Sequence, residues 1–300
     1  MPSSDSPVST GSLQLDRILG GQGLPVGSMV EVFGNQGTGK TTLALELITS
    51  IQERGETAAF LDAEHSLDTD YAGRVGVRAD EMLFSRPDDG EQALDICMKL
   101  VESNAVRLVV VDSAAALVPG NELEGGFDEG TGGAQSSMLS GALRKLSARI
   151  EQSGTVLLFT TQVRSRPERS VGPDETTPGG NALKFYADAR IKLGLIDQIH
   201  RNNSVIGRRI EVEVKKNRTA PPDQSIELDL LFDRGICPYG DLFDEGRRQD
   251  IIQETADGFT YGQNTLGRDR DAVRERLHQD PSLCDTIRSK LDTSSPREPQ

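Results

Sequence analysis

One eight-residue stretch restricts the possible folds of this chain more than any other feature: Gly34-Asn35-Gln36-Gly37-Thr38-Gly39-Lys40-Thr41. It fits the pattern G-x-x-x-x-G-K-[ST] of a phosphate-binding loop, the P-loop. An apolar run over residues 29–33 precedes it and is typical of a buried strand, while residues 42–53 have the pattern of a helix. A strand, a glycine-rich loop and a helix in this order predict a site for nucleotide phosphates.

Each part of this loop has a physical task. The glycines let backbone N–H groups approach the phosphates at dihedral angles that other residues avoid. The ammonium of Lys40 is placed to reach the β and γ phosphates, the hydroxyl of Thr41 to hold Mg²⁺, and the helix N-terminus to face the anion. The predicted nucleotide contacts here are Gly34, Asn35, Gln36, Gly37, Thr38, Gly39, Lys40, Thr41 and Thr42.

Bulk composition excludes several classes of protein. The 300 residues, 35% of them hydrophobic, are enough for one large domain or for one domain with a small appendage. No apolar run has the length of a membrane span and no signal peptide is visible, so we expect a cytoplasmic protein without a membrane partner. The three cysteines have no metal-ligand spacing and are expected to be buried. The net charge of −14 argues against a uniformly basic DNA-coating surface and would confine a nucleic-acid site to particular loops.

Polar side chains end three apolar runs that we interpret as strands. Asp112 ends the run over 107–111 and matches the Walker B pattern, in which a carboxylate orients Mg²⁺ through water. Glu64 follows the run over 57–62; it could polarise a water attacking the γ phosphate or be a solvated carboxylate in a turn. Gln162 ends the run over 155–162; it could sense the γ phosphate, although the residues by themselves favour simple strand termination.

Apolar strands alternate with helical stretches such as 91–102 and 138–152, which predicts an α/β fold around a mostly parallel sheet. Two long glycine-rich segments, 119–133 and 164–180, interrupt the alternation at strand ends, where ligands bind. The second segment carries three cations, and a solvated loop is its alternative interpretation. Those cations are Arg164, Arg166 and Arg169.

Long collinear segments make the chain resemble the RecA family of bacterial recombinases from about residue 9 to about residue 290. The matches include 23–41, which contains the P-loop, 60–68 (FLDAEHSLD), 90–94 (GEQAL), 110–117 (VVDSAAAL) and 175–186 (ETTPGGNALKFY). The resemblance implies a RecA-type P-loop ATPase core whose nucleotide lies between neighbouring subunits. It also implies a mostly parallel sheet flanked by helices, with a small C-terminal α/β domain.

The resemblance also implies residue roles. Glu64 would activate water, Gln162 would couple the γ phosphate to the second glycine-rich loop, and Asp68 and Tyr71 would contact the adenine. Lys216 and Arg218 match a Lys-Asn-Lys motif that reaches the γ phosphate bound by the neighbouring subunit, and a cation supplied in trans stabilises transition-state charge.

Two further regions take their expected roles from the same resemblance. Lys184 and Phe185 match positions at the subunit interface. The two glycine-rich segments correspond to DNA-binding loops that line the axis of a helical filament. The DNA contacts expected in the second loop are Arg164, Arg166, Arg169, Gly179 and Gly180.

Three departures from the family pattern bear on assembly and DNA binding. The family has an N-terminal helix and strand that dock on the next subunit, whereas about eight mostly polar residues precede Ser9. Either the true start lies upstream, or assembly is weak, or the protein joins only another recombinase. In the second loop, Pro167 and Val171 replace an aliphatic residue and a phenylalanine. At the end of the first loop, Gly132 and Ser137 replace a methionine and an arginine, which weakens the expected grip on DNA.

We expect residues 1–236 to form the ATPase core, 237–291 a small C-terminal domain and 292–300 a polar, disordered tail. The tail lacks the acidic run often found at this end of the family.

The sequence therefore predicts a DNA-dependent ATPase of homologous recombination and DNA repair. It would bind single-stranded DNA with ATP and Mg²⁺, pair it with double-stranded DNA and promote strand exchange, as a helical homo-oligomer or with another recombinase. The resemblance connects it with DNA damage and the SOS response. A non-polymerising accessory protein that uses nucleotide as a switch is the alternative, and an unrelated P-loop kinase is a weaker one because nothing resembles a phosphoacceptor site.

Overall fold

The computed structural model describes residues 6–124, 133–165, 175–176, 181–201 and 203–294. In the first half of the chain, helices and strands alternate in the order α1 (Leu13–Ile18), β1 (Met29–Gly34), α2 (Lys40–Glu53), β2 (Ala58–Asp62), α3 (Thr69–Val75), β3 (Met82–Ser85), α4 (Gly90–Glu102), β4 (Leu108–Asp112), α5 (Gly120–Glu124), α6 (Ala134–Ser153) and β5 (Val156–Gln162). The predicted alternation is confirmed. The segment 119–133 differs from its prediction because it begins with the short helix α5.

The second half is richer in antiparallel strands. Its elements are β6 (Arg164–Ser165), β7 (Glu175–Thr176), α7 (Ala182–Tyr186), β8 (Ala189–Arg201), β9 (Ser204–Asn217), β10 (Gln224–Leu231), β11 (Gly235–Ile236), α8 (Pro238–Arg248), β12 (Gln253–Thr255), β13 (Gly258–Tyr261), β14 (Asn264–Gly267), α9 (Arg270–Gln279) and α10 (Pro281–Ser294). Helix α10 continues past 291, the boundary expected for the C-terminal tail.

A nine-stranded sheet organises the molecule, in the order β11-β10-β9-β8-β1-β5-β4-β2-β3. The strands from β8 to β3 in this order are parallel, whereas β9, β10 and β11 are added antiparallel at one side. The α/β class with a mostly parallel sheet is therefore confirmed. In the parallel part, the carboxyl ends of β1, β2, β4 and β5 meet at one edge, and this shared edge assembles the site.

Helices cover both faces of the parallel strands, which explains why these strands are apolar along nearly their whole length. In β4, Leu108 and Val110 pack in the cluster that contains α2, while Val109 and Val111 pack in the cluster that contains α4 and α6. Because successive side chains of β4 point to opposite faces of the sheet, one apolar run contributes to both cores.

The C-terminal segment packs around its own apolar cluster, formed by α8, the three-stranded sheet β12–β14, α9 and α10. The segment therefore contains both helices and a small sheet. Asp241 in α8 is buried and joins this segment to the start of α1, because its carboxylate accepts hydrogen bonds from Ser12 Oγ at 2.9 Å and Leu13 N at 2.6 Å.

Cys97, Cys237 and Cys284 are all buried and unpaired, as expected from their spacing. Within the described ranges, no helix combines the length and the apolar character needed to cross a membrane. The same residues contain no group of three or more His, Cys, Asp or Glu side chains that could hold a metal ion.

Candidate nucleotide site

The P-loop connects the end of β1 with the start of α2. Gly37 and Gly39 have φ angles of 76° and 92°, in the region that favours glycine. Helix α2 begins at Lys40, two residues earlier than the sequence indicated, so the loop leads directly into a helix N-terminus. Within the loop, Thr38 Oγ1 donates to the carbonyl of Asn35 at 2.9 Å. This geometry directs backbone N–H groups and the positive end of α2 towards one point.

Lys40 lies folded against this loop. Its Nζ donates hydrogen bonds to the carbonyl oxygens of Gly34 at 3.1 Å and Asn35 at 2.8 Å, and the residue is only 8% exposed. Burial lowers the pKa of the Lys40 ammonium, and the carboxylates of Asp112 and Glu64 partly oppose this shift. A phosphate oxygen could replace either carbonyl and would favour the charged form of the ammonium.

Thr41 and Asp112, the two residues predicted to serve Mg²⁺, are in contact. Thr41 Oγ1 donates to Asp112 Oδ2 at 2.7 Å, and Thr160 Oγ1 donates to the other oxygen, Oδ1. Burial raises the pKa of Asp112, while the two hydroxyl donors lower it. A hydroxyl and a carboxylate are hard oxygen ligands of the kind that Mg²⁺ prefers. The residues therefore suit the ion, and Thr160 is a supporting residue that no sequence motif indicated.

Glu64 and Gln162 come together beside this pair. Gln162 Nε2 donates to Glu64 Oε1 at 3.2 Å, and the hydroxyl of Ser113 donates to the same oxygen. The turn carrying Glu64 is held because Ala63 N and Glu64 N donate to the carbonyl of Asp112 at 2.9 and 3.2 Å. Glu64 is thus bound to two side chains from neighbouring strand ends. Ser113 follows the Walker B aspartate directly, and that adjacency is the sequence signal that could have indicated it.

Asp68 and Tyr71, the residues expected near the adenine, lie at the N-terminus of α3. Asp68 Oδ1 accepts a hydrogen bond from Tyr71 N at 2.9 Å and so caps the helix. Tyr71 Oη is 2.8 Å from Thr42 Oγ1, which fixes the ring beside the start of α2. Burial raises the pKa of the Tyr71 hydroxyl, so that it remains a neutral hydrogen-bonding group.

Arg208, which the sequence did not indicate, borders the loop, and Phe232 lies beside Arg208. The guanidinium of Arg208 in β9 donates a hydrogen bond to the carbonyl of Gly37, and it lies 5.8 Å from the centroid of the Phe232 ring. Phe232 follows β10 and is 45% exposed. Neither residue belongs to a recognisable motif, because the antiparallel side of the sheet brings them to the loop.

Lys216 and Arg218 lie away from this edge, near the start of β8. Lys216 Nζ donates to the carbonyl oxygens of Lys184 at 3.3 Å and Phe185 at 3.0 Å, and Arg218 Nη1 lies 2.5 Å from Asp188 Oδ1. The pKa of Lys216 is lowered mainly by burial and to a smaller extent by the positive charge of Arg218.

The register gives the separation of these cations from the P-loop. Lys216 pairs with Arg190, whereas Gly34 pairs with Leu193 further along β8. Asp188 precedes the strand. Arg190 and Asp188 precede Leu193 by three and five residues. At about 3.3 Å per residue along β8, they therefore lie roughly 10 and 16 Å from the position that pairs with Gly34. Within one chain, the two cations and the P-loop are therefore at different ends of the strands.

The predicted DNA contacts are described only in part. Arg164 lies in β6, which pairs with β7 in the register Arg164 to Thr176 and begins two residues after Gln162. The ladder places residues 175–176 beside residues 164–165, close to the end of β5. Outside the described residues lie Arg166, Arg169, Gly179 and Gly180, as do Gly132, Pro167 and Val171.

A cavity of about 760 Å³ lies beside Phe232, between the β8–β9 hairpin and α9. Two arginines in its lining are already paired, Arg201 with Glu275 at 3.3 Å and Arg234 with Asp233 at 2.8 Å. The P-loop, with its converging N–H groups and lysine, suits a phosphate chain better than this cavity does.

Comparison with known proteins agrees with this geometry. The family described as RecA N-terminal domain matches residues 4–237. The chain is 44% identical over 288 residues to Protein RecA of Caulobacter vibrioides, covering 96% of this chain and 81% of that protein. It is 45% identical over 280 residues to Protein RecA of Chloroflexus aurantiacus (93% and 80%) and 42% identical over 286 residues to that of Bacillus licheniformis (95% and 82%). The chain therefore belongs to the RecA family, the recombinases that act as DNA-dependent ATPases in homologous recombination and repair.

Proposed function

We propose that the chain binds ATP and Mg²⁺ at the P-loop edge and couples ATP hydrolysis to the binding of single-stranded DNA. The observation that carries this proposal is the contact between Glu64 and Gln162, because Gln162 ends β5 two residues before the second glycine-rich segment begins. A residue placed to activate water is thereby connected to a segment expected to hold DNA.

The proposed roles at the phosphates follow from the contacts of each side chain. Lys40 exchanges its two carbonyl acceptors for β and γ phosphate oxygens, and the N–H groups of the loop surround the phosphate chain. Thr41 would hold Mg²⁺ directly and Asp112 through water. The ion would neutralise charge on the β and γ oxygens when bound.

Glu64 is the proposed general base. Gln162 and Ser113 both donate to Oε1, which orients the carboxylate and leaves Oε2 to accept a proton from water. The nucleotide's far end would meet Asp68 and Tyr71, beside the start of α2.

We propose that Lys216 and Arg218 act on the nucleotide of a neighbouring subunit. Their distance from the P-loop of their own chain supports this, as does the exposed side chain of Arg218. The same end carries Phe185, 74% exposed, beside a groove of about 550 Å³ lined by Phe185 and Arg218. A head-to-tail contact of this kind produces a helical filament when its rotation does not close into a ring, and we propose the filament.

On this basis the filament would hold single-stranded DNA with the segments 119–133 and 164–180, pair it with double-stranded DNA and release it after hydrolysis. Arg164, Arg166, Arg169, Gly179 and Gly180 remain the proposed DNA contacts. We propose the division into an ATPase core (1–236) and a C-terminal domain (237–291), which the separate apolar cluster of the C-terminal segment supports. The proposed compartment is the cytoplasm, consistent with three unpaired cysteines.

The test is ATP turnover with and without single-stranded DNA at two salt concentrations, combined with sedimentation. We expect salt-sensitive stimulation together with large assemblies, since phosphate contacts weaken as salt is added. Lys40→Ala should abolish both turnover and ATP-dependent DNA binding, while Lys99→Ala, on helix α4, should leave both unchanged. Unaltered turnover in the Lys40 variant would contradict the proposal. A monomer that binds ATP and ignores DNA would favour the accessory protein instead.

A further inference from the structure

Two consecutive arginines in β9 have opposite surroundings. Successive side chains of a strand point to opposite faces, so Arg208 and Arg209 face different neighbours. Arg209 Nε lies 2.9 Å from Asp229 Oδ1 and forms an ion pair in which the carboxylate is buried and the arginine is partly exposed. Arg208 instead extends to the P-loop, where its Nη1 donates to the carbonyl of Gly37. The charge of Arg209 is therefore neutralised by a carboxylate, whereas the charge of Arg208 lies at the P-loop.

Arg208 has no ion-pair partner among the described residues. Among the residues that the structure describes, no carboxylate lies within ion-pair distance of Arg208, although the chain as a whole has a net charge of −14. A guanidinium has five N–H donors, and the contact with Gly37 uses one of them. The remaining donors are available to an anion at the mouth of the loop.

The packing of β9 and β10 holds this guanidinium in place. A β-carbon at Gly39 would collide with Leu230 of β10 and reach Ile210, which shares its face of β9 with Arg208. A β-carbon at Gly37 would collide with the Arg208 guanidinium itself. The centroid of the Phe232 ring lies 5.8 Å from the guanidinium. The P-loop and this face of the antiparallel strands therefore fit each other closely, with a cation at the contact.

We propose that Arg208 is a nucleotide-binding residue in cis, which contacts the phosphate chain of a nucleoside di- or triphosphate from the β9 side of the loop. The inference rests on the proposed function, because it requires the nucleotide to lie at the P-loop. Lys40 covers the phosphates from the α2 side, and Arg208 covers them from the outer side. The Phe232 face limits the positions of the guanidinium before the ligand arrives and so reduces the entropy lost on binding.

The test compares the affinity of the full chain and of three variants for ADP, by calorimetry at 50 and 200 mM salt. Arg208→Gln keeps a hydrogen-bond donor for Gly37 but removes the charge, and Arg208→Lys keeps the charge but removes the planar fork. Arg201→Gln is the matched control, since it removes one positive charge from the same β8–β9 hairpin at a side chain that is 62% exposed.

We expect Arg208→Gln to weaken ADP binding about tenfold, as for a lost charge-assisted contact, and to reduce the dependence of the affinity on salt. Arg208→Lys should recover part of the affinity, and Arg201→Gln should match the wild type. Equal affinity in Arg208→Gln and the wild type would overturn the inference. A weakened affinity with unchanged salt dependence and no recovery by lysine would also overturn it, since Arg208 would then only shape the loop.

The same titrations separate this inference from the proposed function. If Lys40→Ala abolishes ADP binding while Arg208→Gln leaves it intact, nucleotide binding at the P-loop stands and the role of Arg208 alone is refuted. If the wild type binds no ADP, both fail together.

Discussion

The side-chain amide of Gln162 donates a hydrogen bond to Oε1 of Glu64 at 3.2 Å and joins the end of β5 to the turn after β2. Strand β4 lies between β2 and β5 in the sheet, and Ser113, directly after β4, donates to the same oxygen. Three adjacent strand ends therefore hold one carboxylate.

Gln162→Ala should uncouple hydrolysis from DNA. The variant loses the contact between Glu64 and the strand that leads to the second glycine-rich segment, while the P-loop keeps its own contacts. We expect DNA-stimulated turnover to fall more than about tenfold, with ADP affinity within about twofold of the wild type. Gln198→Ala, on the exposed part of β8, is the control. Full DNA stimulation in the Gln162 variant would contradict the coupling role.

Two neighbouring threonines of β5 offer a matched pair for the metal site. Thr160 Oγ1 donates to Asp112, whereas Thr161 Oγ1 is buried and has no hydrogen-bond partner within the described part of the chain. Thr160→Val should raise the Mg²⁺ concentration for half-maximal turnover about tenfold or more, because the carboxylate loses an orienting donor. Thr161→Val should leave that concentration unchanged and maintain or raise the melting temperature. Identical Mg²⁺ titrations of the two variants would refute the supporting role of Thr160.

Mixing two inactive variants tests the action of Lys216 in trans. Lys216→Ala keeps a complete P-loop, and Lys40→Ala keeps Lys216, so an interface formed by one of each regains all its parts. An active interface needs the P-loop of the Lys216 variant and the Lys216 of the Lys40 variant. With random head-to-tail assembly of an equal mixture, about a quarter of the interfaces should therefore recover turnover. A mixture of Lys40→Ala and Glu64→Gln is the control and should stay inactive, because both lesions lie on the same side of the interface. No recovery in the first mixture would contradict the trans arrangement.

Glu46 predicts a specific pH dependence of stability. Burial raises its pKa from 4.5 to about 7, the nearby Glu53 carboxylate adds to this, and the hydrogen bond from Ile236 N opposes it. A carboxyl with a raised pKa stabilises the folded chain fully below pH 4.5, and this contribution is lost as the pH rises through about 7.

Glu46→Gln removes this titration while keeping an acceptor for Ile236 N. At 1.36 kcal/mol per pH unit, the free energy of unfolding of the wild type relative to the variant should fall by up to roughly 3 kcal/mol across that interval. Denaturant unfolding of both proteins at several pH values measures this difference in the free energy of unfolding. A constant difference across the interval would show that Glu46 does not titrate there.

Asp229 connects the core with the C-terminal segment. Burial alone would raise its pKa, but the guanidinium groups of Arg270 and Arg209 lower it below its ordinary value. Asp229→Asn leaves the partly buried arginines without their carboxylate, and we expect it to lower the free energy of unfolding by about 3 kcal/mol. We also expect faster proteolysis after residue 236.

Asp233→Asn is the control for this variant. Asp233 also pairs with an arginine, Arg234, but both side chains are exposed, to 62% and 40%. Equal unfolding midpoints for the Asp229 and Asp233 variants would contradict the connecting role of Asp229.

The sequence by itself determined four of the six strands in the parallel part of the sheet, β1, β2, β4 and β5, and the chemistry at their shared edge. Residues 29–33, 57–62, 107–111 and 155–162 are mostly apolar, because strands buried on both faces exclude water along their length. The P-loop motif is local, since its glycines and Lys40 act through neighbouring backbone. Apolar runs and a local motif can both be recognised in the sequence without knowledge of the fold.

Only the tertiary structure decided which distant side chains complete the site. Thr160 and Ser113 contact Asp112 and Glu64 because parallel strands align their carboxyl ends, and a hydroxyl in a strand carries no local signal of that partner. Arg208 is one of two adjacent arginines in an alternating strand, and the register of β9 against β8 and β10 decides which one faces the loop. Sequence patterns specify what each strand buries, whereas the pairing of strands specifies which side chains meet.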